Sequence, residues 1–92
     1  MIRSFRHNGL RALYEREATR GINPAQLRRV RTLLARLDAA RGPTDMDLPG
    51  LRLHPLKGAL RSFWAVDVSA NWRMIFRFAG DDVHDVDLVD YH

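Results

Sequence analysis

The sequence predicts an α+β domain in which two N-terminal helices pack on one face of an antiparallel sheet. Residues 8–41 carry apolar side chains at helical spacing, whereas residues 51–90 carry them in alternation, with short turns between the alternating runs. A helical period followed by a period of two is typical of this class. With 92 residues, the chain is expected to form one domain, residues 1–92, in the order β-α-α-β-β-β-β.

The first two elements are predicted to be a short strand and a short helix. Residues 2–5 alternate in a way that suits a strand. Asn8 is the expected N-cap of a helix in which Leu10, Leu13 and Tyr14 repeat at i, i+3 and i+4. The Thr-Arg-Gly segment at residues 19–21 is expected to end this helix.

The second helix has the clearest sequence signals. Asn23 is the expected N-cap, Pro24 takes the first helical position, and Gln26 stands where a capping box has a glutamine. The apolar stripe consists of Leu27, Val30, Leu34 and Leu37, widened by Leu33. Four arginines, at positions 28, 29, 31 and 36, fall largely off that stripe, and the Arg-Gly-Pro segment at 41–43 ends the helix. One helix face is therefore apolar and the other is cationic.

The strands are predicted from alternation and turn residues. Residues 51–54 alternate, and Pro55 is expected to end that strand in a bend. Residues 61–69, 72–78 and 83–92 alternate again, joined by short turns, which predicts an antiparallel meander. In the last strand, Val86 and Leu88 share a face with Asp90 and His92. Trp64 and Trp72 are expected in the core, because only exposed aromatic rings can stack on bases.

Charge is distributed unevenly along the chain. Residues 1–41 have a balance of +7 and residues 42–92 a balance of −3, within a net charge of +4. An arginine-rich half suits nucleic acid or an acidic protein partner. The absence of cysteine excludes disulfides, a thiolate nucleophile and a cysteine zinc site. Without a signal-like or membrane-length apolar run, the expected location is the cytoplasm and no membrane contact is expected.

Neither a metal nor a cofactor is expected. The chain has no Walker loop, no glycine-rich dinucleotide turn and no GxSxG motif, and its four histidines include no pair at helical i, i+4 spacing. Five aspartates lie within residues 81–90 and could hold Mg²⁺. Because three of them lie at a turn or on its edge, we interpret them as a solvated acidic strand that protects a sheet edge.

The remaining chemical candidates are acid–base and basic groups at loops and strand ends. They are His54, Lys57, Arg73, Asp90, Tyr91 and His92. Lys57 is the only lysine among 15 basic residues, and it follows His54 by three positions on a loop bounded by proline and glycine. Metal-free RNA cleavage needs a base for the 2′-OH, an acid for the leaving 5′-oxygen and cations for the charged phosphorane. These residue types permit that chemistry.

Four segments together resemble a known toxin family. They are Leu-His-Pro-Leu-Lys-Gly at 53–58, Ala-Asn-Trp-Arg at 70–73, Val-Asp-Tyr-His at 89–92 and the start of the chain at 1–5. In this combination, they resemble the HigB family of the RelE/ParE superfamily, the toxins of bacterial type II toxin–antitoxin systems. The resemblance implies a ribosome-dependent, metal-independent mRNA endonuclease that cleaves codons in the ribosomal A site and stops translation.

The resemblance also implies roles for individual residues. The implied catalytic residues are His54, Asp90, Tyr91 and His92, and the implied phosphate- or RNA-binding residues are Lys57, Asn71 and Arg73. We expect His54 and His92 to form the proton-transfer pair, in either order. Tyr91 is expected to orient or stack the substrate, Lys57 and Arg73 to stabilise charge, and Asn71 to help hold the message.

The implied partners are the 70S ribosome with its mRNA and a cognate HigA-like helix-turn-helix antitoxin, through which alone the toxin would meet operator DNA. One alternative is a ParE-like inhibitor of DNA gyrase that has no chemistry of its own. Another is a degenerate toxin that survives only as a co-repressor. The His54–Lys57 loop and the terminal Asp-Tyr-His segment favour the nuclease, because a pure binding protein does not need them.

Overall fold

A computed structural model describes residues 1–91 as two helices packed on one face of a four-stranded sheet. The elements are helix α1 (Asn8–Arg16), helix α2 (Leu27–Ala39), strand β1 (His54–Pro55), strand β2 (Trp64–Ser69), strand β3 (Trp72–Ala79) and strand β4 (Asp82–Asp90). Each strand pairs antiparallel with the next in chain order, which confirms the predicted α+β class and its meander. No helix within residues 1–91 has the length and apolar composition to cross a membrane.

The N-terminal segment runs beside β4 as two isolated parallel bridges. Ile2 pairs with Val83 and Phe5 pairs with Val86, where a continuous strand was expected over residues 2–5. Between these bridges, the hydroxyl of Ser4 accepts the backbone N–H of Asp85, so a side chain takes the place of a ladder bond. The segment therefore extends the sheet edge only at two points, while Ile2 and Phe5 are buried in the core.

Helix α1 differs from the prediction at both ends. Its N-cap is His7, whose ring Nδ1 accepts the N–H of Leu10 at 3.1 Å, and the expected cap Asn8 is the first helical residue. The helix ends at Arg16 because Glu17 adopts a left-handed conformation with φ 57°, and its backbone N–H donates to the carbonyl of Leu13. This end precedes the expected stop at residues 19–21, since a glutamate gives no sequence signal for a left-handed cap.

Helix α2 has the predicted apolar stripe but a different beginning. Val30, Leu33, Leu34 and Leu37 are buried, as expected. Asn23 accepts the N–H of Ala25 through its side chain, and this caps a turn that precedes the helix, which begins at Leu27. The expected capping-box residue, Gln26, is buried and donates from its side-chain amide to the hydroxyl of Ser69 at 2.9 Å. Gln26 therefore ties α2 to the sheet.

The helices, the N-terminal segment and one side of the sheet enclose the main core. We call this side the covered face; its buried strand residues are Val66, Val68, Met74, Phe76, Val83, Val86 and Leu88. Trp64 and Trp72 pack against the same cluster, as predicted. Burying such side chains contributes about 1.5–3 kcal/mol each relative to leaving them in water, so most of the folding free energy comes from this face.

The opposite side of the sheet, which we call the open face, has a much smaller apolar cluster. That cluster consists of Phe63, Ala65 and Ile75, with Leu56, Leu60 and Val89 partly buried around it. Arg6 lies over the ring of Phe63, with the guanidinium carbon 4.8 Å from the ring centroid. Two arginine–aspartate ion pairs, Arg73–Asp67 and Arg77–Asp85, lie beside these apolar residues, and the first of them belongs to the candidate site.

A polar node joins both helices to the N-terminal segment. The phenol of Tyr14 donates to the carboxylate of Asp38 at 2.6 Å, and the backbone N–H of Ile2 donates to the same oxygen at 3.0 Å. Burial and the hydrogen bond to Asp38 raise the pKa of Tyr14 to about 12. The Tyr14 hydrogen bond and the Ile2 N–H lower the pKa of Asp38 below its usual value, against the effect of burial.

Candidate active site

The strand register arranges the site residues in rows across the open face. One row consists of His54 on β1, Ala65 on β2, Ile75 on β3 and Asp87 on β4. The next row consists of Asp67 on β2, Arg73 on β3 and Val89 on β4. Residues directly opposite each other in an antiparallel sheet share a face. His54 and Arg73 therefore lie on the same side of the sheet, away from the helices.

Arg73 is held in place by its neighbours. Its Nε forms an ion pair with the carboxylate of Asp67, at 2.9 Å from Oδ1. Its Nη1 donates to the backbone carbonyls of Ala70 at 2.9 Å and of Trp72 at 3.1 Å. The Arg73 side chain is only 18% exposed, so this pairing is better shielded from water than a typical surface ion pair. Arg73 therefore presents a positive charge in a fixed orientation.

His54 has a defined protonation pattern at one ring nitrogen. Its Nδ1 lies 2.8 Å from the backbone carbonyl oxygen of Arg52. A carbonyl oxygen only accepts hydrogen bonds, so Nδ1 carries the proton, and in the neutral ring Nε2 has the lone pair. His54 is half-buried on the edge strand β1. This geometry suits a general base whose ring is oriented through its other nitrogen.

The end of β4 lies beside the β2–β3 turn. Asp90 is the last residue of the strand and pairs with Trp72. The N–H of Tyr91 continues the pattern by donating to the carbonyl of Asn71 at 2.7 Å. Strand alternation puts the Tyr91 position on the side of Val89 and Arg73, and the Asp90 position on the side of Leu88. Tyr91 is 43% exposed, as a side chain that contacts a base must be.

Lys57 lies apart from the other candidates along the sheet edge. The backbone N–H of Leu56 donates to the carbonyl of Phe63, so the chain continues past His54 away from the turn that carries Asn71. Lys57 is exposed just before the short turn Gly58–Leu60. The structure therefore brings Arg73, Asn71 and Tyr91 together, with His54 on the same face and Lys57 beyond it.

His92, the remaining predicted catalytic residue, lies outside the described residues. Within residues 1–91, no group of three or more histidine, aspartate or glutamate side chains has the arrangement of a metal site.

Sequence reasoning missed two residues that hold the site together, Asp67 and Arg52. Ala70 and Asn71 form a two-residue turn, and a regular hairpin around that turn would pair Arg73 with Val68. A bulge between Asp67 and Ser69 shifts the register by one, so Arg73 pairs with Asp67 instead. No signal in the sequence marks this bulge.

A second bulge does have a sequence signal. It interrupts the β3–β4 pairing between Ile75 and Arg77, where Asp85 has a left-handed φ of 55°. Val83 and Val86 both face the core although they are three residues apart, which strict alternation forbids. That spacing could have predicted the bulge. At this point Arg77 donates to Asp85 at 2.8 Å, and this bond holds the pKa of the Asp85 carboxyl below its usual value.

Comparisons with known proteins agree on one family. The family model described as "RelE-like toxin of type II toxin-antitoxin system HigB" matches residues 3–92. A curated protein from Proteus vulgaris, "Endoribonuclease HigB", is 36% identical over 92 residues, and the alignment covers all of both chains.

Solved structures show the same fold at low sequence identity. A YafQ mutant from E. coli is 14% identical with a TM-score of 0.61, and the match covers 98% of this chain and 91% of that one. A copper-bound mutant toxin from Helicobacter pylori is 15% identical with a TM-score of 0.54, and the match covers 98% of this chain and 94% of that one.

Proposed function

The chain belongs to the HigB-like family of RelE-like toxins from type II toxin–antitoxin systems, and we propose that it is an endoribonuclease that cleaves mRNA in the ribosomal A site. The proposal rests on His54 and Arg73, an oriented imidazole and a fixed guanidinium on one uncovered face of the sheet. The curated relative from Proteus vulgaris is named an endoribonuclease, and its full-length match of 36% supports the same activity here.

The proposed reaction is attack of a ribose 2′-OH on the adjacent phosphate. A base removes the 2′-OH proton as the bond from the 2′-oxygen to phosphorus forms. The bond from phosphorus to the 5′-oxygen breaks as an acid protonates that oxygen. The products are a 2′,3′-cyclic phosphate and a free 5′-OH. Two proton-transfer groups and a cation are sufficient for this step, and each typically contributes about 10²–10⁴-fold to the rate.

We assign the proton transfers to His54 and His92, in either order. The Nδ1 contact with Arg52 leaves Nε2 of His54 available to exchange a proton with the substrate. Arg73 is proposed to stabilise the charged phosphorane, because its ion pair with Asp67 and the hydrogen bond of its Nη1 set its position before RNA arrives. Lys57 is proposed to contact the backbone further along the strand edge.

The tip of β4 is proposed to hold the message. Tyr91 is exposed and would stack on a base or orient the ribose. Asn71 lies opposite Tyr91 across the β3–β4 pairing, and Asp90 precedes Tyr91 with its strand position on the other side of the sheet; these two residues complete the proposed set. Since RNA recognition by proteins favours unstacked bases in single strands, an exposed aromatic at this edge suits a codon rather than a duplex.

The partners follow from membership in the family and from the surface. A type II system supplies a protein antitoxin, which we propose to be a HigA-like helix-turn-helix protein. The same antitoxin is proposed to bind the operator DNA, so that the toxin contacts the operator only within the toxin–antitoxin complex. The solvent face of α2, where Arg28, Arg31 and Arg36 are exposed, suits ribosomal RNA, because phosphate contacts dominate affinity for nucleic acid. The proposed site of action is the bacterial cytoplasm.

The test is to map the 5′ ends of mRNA on translating ribosomes after expression of the protein in bacteria. New ends within codons, in phase with the reading frame, are expected for the wild type. The same cells expressing His54→Gln are expected to show few of these ends. Intact messages together with loss of negative supercoiling would contradict the proposal and indicate gyrase inhibition of the ParE kind.

A further inference from the structure

Asp67 lies between two arginines that come from different elements. Its Oδ1 is 2.9 Å from Nε of Arg73 on β3, and its Oδ2 is 3.7 Å from Nε of Arg52, in the segment before β1. The Asp67 and Arg73 side chains are 21% and 18% exposed, whereas that of Arg52 is 79% exposed. The contact with Arg73 is therefore the stronger one, because it is shorter and less screened by water.

The contact with Asp67 removes most of the rotational freedom of Arg73. A free arginine side chain carries about 2 kcal/mol of rotamer entropy, which a ligand would have to overcome when it orders the side chain. Here Nε is ion-paired with Asp67, and Nη1 donates hydrogen bonds to the carbonyls of Ala70 and Trp72. The orientation of the Arg73 guanidinium is therefore fixed before a phosphate arrives.

The backbone of Asp67 also holds the segment that leads to His54. Its N–H donates to the carbonyl of Leu51 at 2.8 Å. Nη2 of Arg29, on α2, donates to the carbonyls of both Asp67 and Gly50, each at 3.2 Å. Arg52, which follows Leu51 in the chain, has a left-handed φ of 54°. This conformation costs a non-glycine residue on the order of 1 kcal/mol. The surrounding contacts maintain it, and the Arg52 carbonyl then accepts from His54.

We propose that Asp67 is a positioning residue of the nuclease site, which fixes the Arg73 guanidinium toward the scissile phosphate and anchors the segment that orients His54. This inference rests on the proposed function. Asp67 itself does not touch RNA in this account. Its carboxylate acts through Arg73, and its backbone N–H and carbonyl hold the segment that orients His54, in the way that supporting contacts set the geometry of reacting groups.

The open face contains a matched pair that serves as a control. Arg77 and Asp85 form an equivalent arginine–aspartate contact of 2.8 Å between β3 and β4, at the opposite end of the same face. Asp85→Asn and Asp67→Asn each remove one negative charge from the same face, and asparagine tolerates the left-handed conformation at position 85. The two variants therefore have the same net charge and differ in which arginine is released.

The first readout separates kcat from KM for cleavage of ribosome-bound message. In Asp67→Asn, kcat is expected to fall about a hundredfold, since a displacement near 1 Å at a reacting group has effects of this size. KM is expected to stay equal or fall, because loss of a carboxylate makes the surface more attractive to RNA. Asp85→Asn is expected to keep kcat. Asp67→Glu, which restores a carboxylate, is expected to recover part of the loss.

The second readout is independent of activity. The Nε–H proton of Arg73 is expected to give a resolved, slowly exchanging NMR signal in the wild type and to exchange rapidly in Asp67→Asn. In Asp85→Asn only the Arg77 signal is expected to change. The same spectra, recorded at low temperature if the variant is less stable, show whether Asp67→Asn is folded.

The outcomes distinguish this inference from the proposed function. Wild-type cleavage with an unchanged kcat in Asp67→Asn, or an unchanged Arg73 signal, would overturn the role of Asp67 and leave the nuclease standing. Absence of any cleavage by the wild type would overturn the proposed function, and the catalytic role of Asp67 with it. A folded Asp67→Asn that loses both kcat and the Arg73 signal, next to an unaffected Asp85→Asn, supports the inference.

Discussion

The two faces of the sheet have opposite compositions although their residues alternate along the same strands. The covered face carries the main apolar cluster and packs on the helices and the N-terminal segment. The open face has three buried apolar residues, Phe63, Ala65 and Ile75, and between and beside them it carries arginine–aspartate pairs and His54. One face concentrates the hydrophobic free energy and the other concentrates ionisable groups.

The difference shows how a small domain can combine a stable core with a polar active site. Exposed or half-exposed ion pairs contribute about 0–1 kcal/mol each, so the charged pairs of the open face add little to folding. Their geometry is better explained by a ligand of the open face, which for this family we propose to be RNA. Changes to the proposed site residues of the open face should therefore remove activity and spare the fold, and changes to the core residues of the covered face should do the reverse.

The largest expected effect is on cleavage by His54→Gln. This substitution removes a group that exchanges protons with the substrate, so the cleavage rate is expected to fall by about 10²–10⁴-fold. The melting temperature is expected to change little, because His54 lies half-exposed on an edge strand. His84→Gln, the same change at the far end of the open face, is the matched control and should keep its activity. An equal loss of cleavage rate in His54→Gln and His84→Gln would contradict the assignment of activity to the His54 end of the open face.

The next largest effect is on stability, in Phe76→Ala. Phe76 is fully buried on the covered face, and truncation of a buried phenylalanine typically costs about 3–5 kcal/mol of unfolding free energy. Ile75→Ala, the next position along β3 on the open face, is expected to cost less, about 2 kcal/mol, because its cluster is small and can collapse. Denaturant unfolding of the two variants measures the difference. A larger loss in Ile75→Ala would mean that the open face holds more of the core than described.

A smaller effect is expected for Tyr14→Phe. The substitution removes one hydrogen bond to a carboxylate, worth about 1.5–3 kcal/mol, but Asp38 keeps the N–H of Ile2 and access to water, so the expected loss is about 1 kcal/mol. Cleavage activity should be retained, since the node lies on the covered side. Chemical denaturation together with a cleavage assay tests both statements, and lost cleavage in a folded variant would contradict the second.

The smallest expected effect is a pH dependence of the contribution that the Tyr14–Asp38 hydrogen bond makes to the free energy of unfolding. The pKa of Asp38 is lowered on folding, so its stabilisation is complete above about pH 4 and is lost as pH falls through the folded pKa. The pKa of Tyr14 is raised to about 12, so its stabilisation is complete below about pH 10 and is lost as pH rises toward 12. The stability difference between wild type and Tyr14→Phe should be flat from about pH 5 to 9 and shrink on both sides. A difference that changes steadily across neutral pH would rule out this pair as its source.

Periodicity predicted the elements and their packing, because burial on one face imposes a regular pattern. The stripe of α2 and the alternation of β2 to β4 are examples, and the tryptophans were placed correctly. Local backbone geometry was harder to predict. The left-handed residues Glu17 and Arg52 are not glycines, so the chain carries no signal for the helix end or the loop turn that they form. The bulge at Asp85 differs, because the spacing of Val83 and Val86 marks it in the sequence.

The candidate site was predictable as a set of residue types and less so as an arrangement. The structure places His54 and Arg73 on one face of the sheet, yet the partner of Arg73 depends on a bulge of one residue between Asp67 and Ser69. A shift of one residue in the strand register changes which side chain lies opposite Arg73. Its partner can therefore be identified only when the register is known. The supporting role of Asp67 became visible only in three dimensions.

The most direct test of the account is reconstituted cleavage on purified ribosomes programmed with a defined message, in the presence of enough magnesium for the ribosome. We predict a cut within the A-site codon that leaves a 2′,3′-cyclic phosphate and a 5′-OH, and we expect the cut to be lost when the attacking ribose is replaced by a 2′-deoxy sugar. A cut that persists in the 2′-deoxy message, or one that leaves a 5′-phosphate, would contradict it.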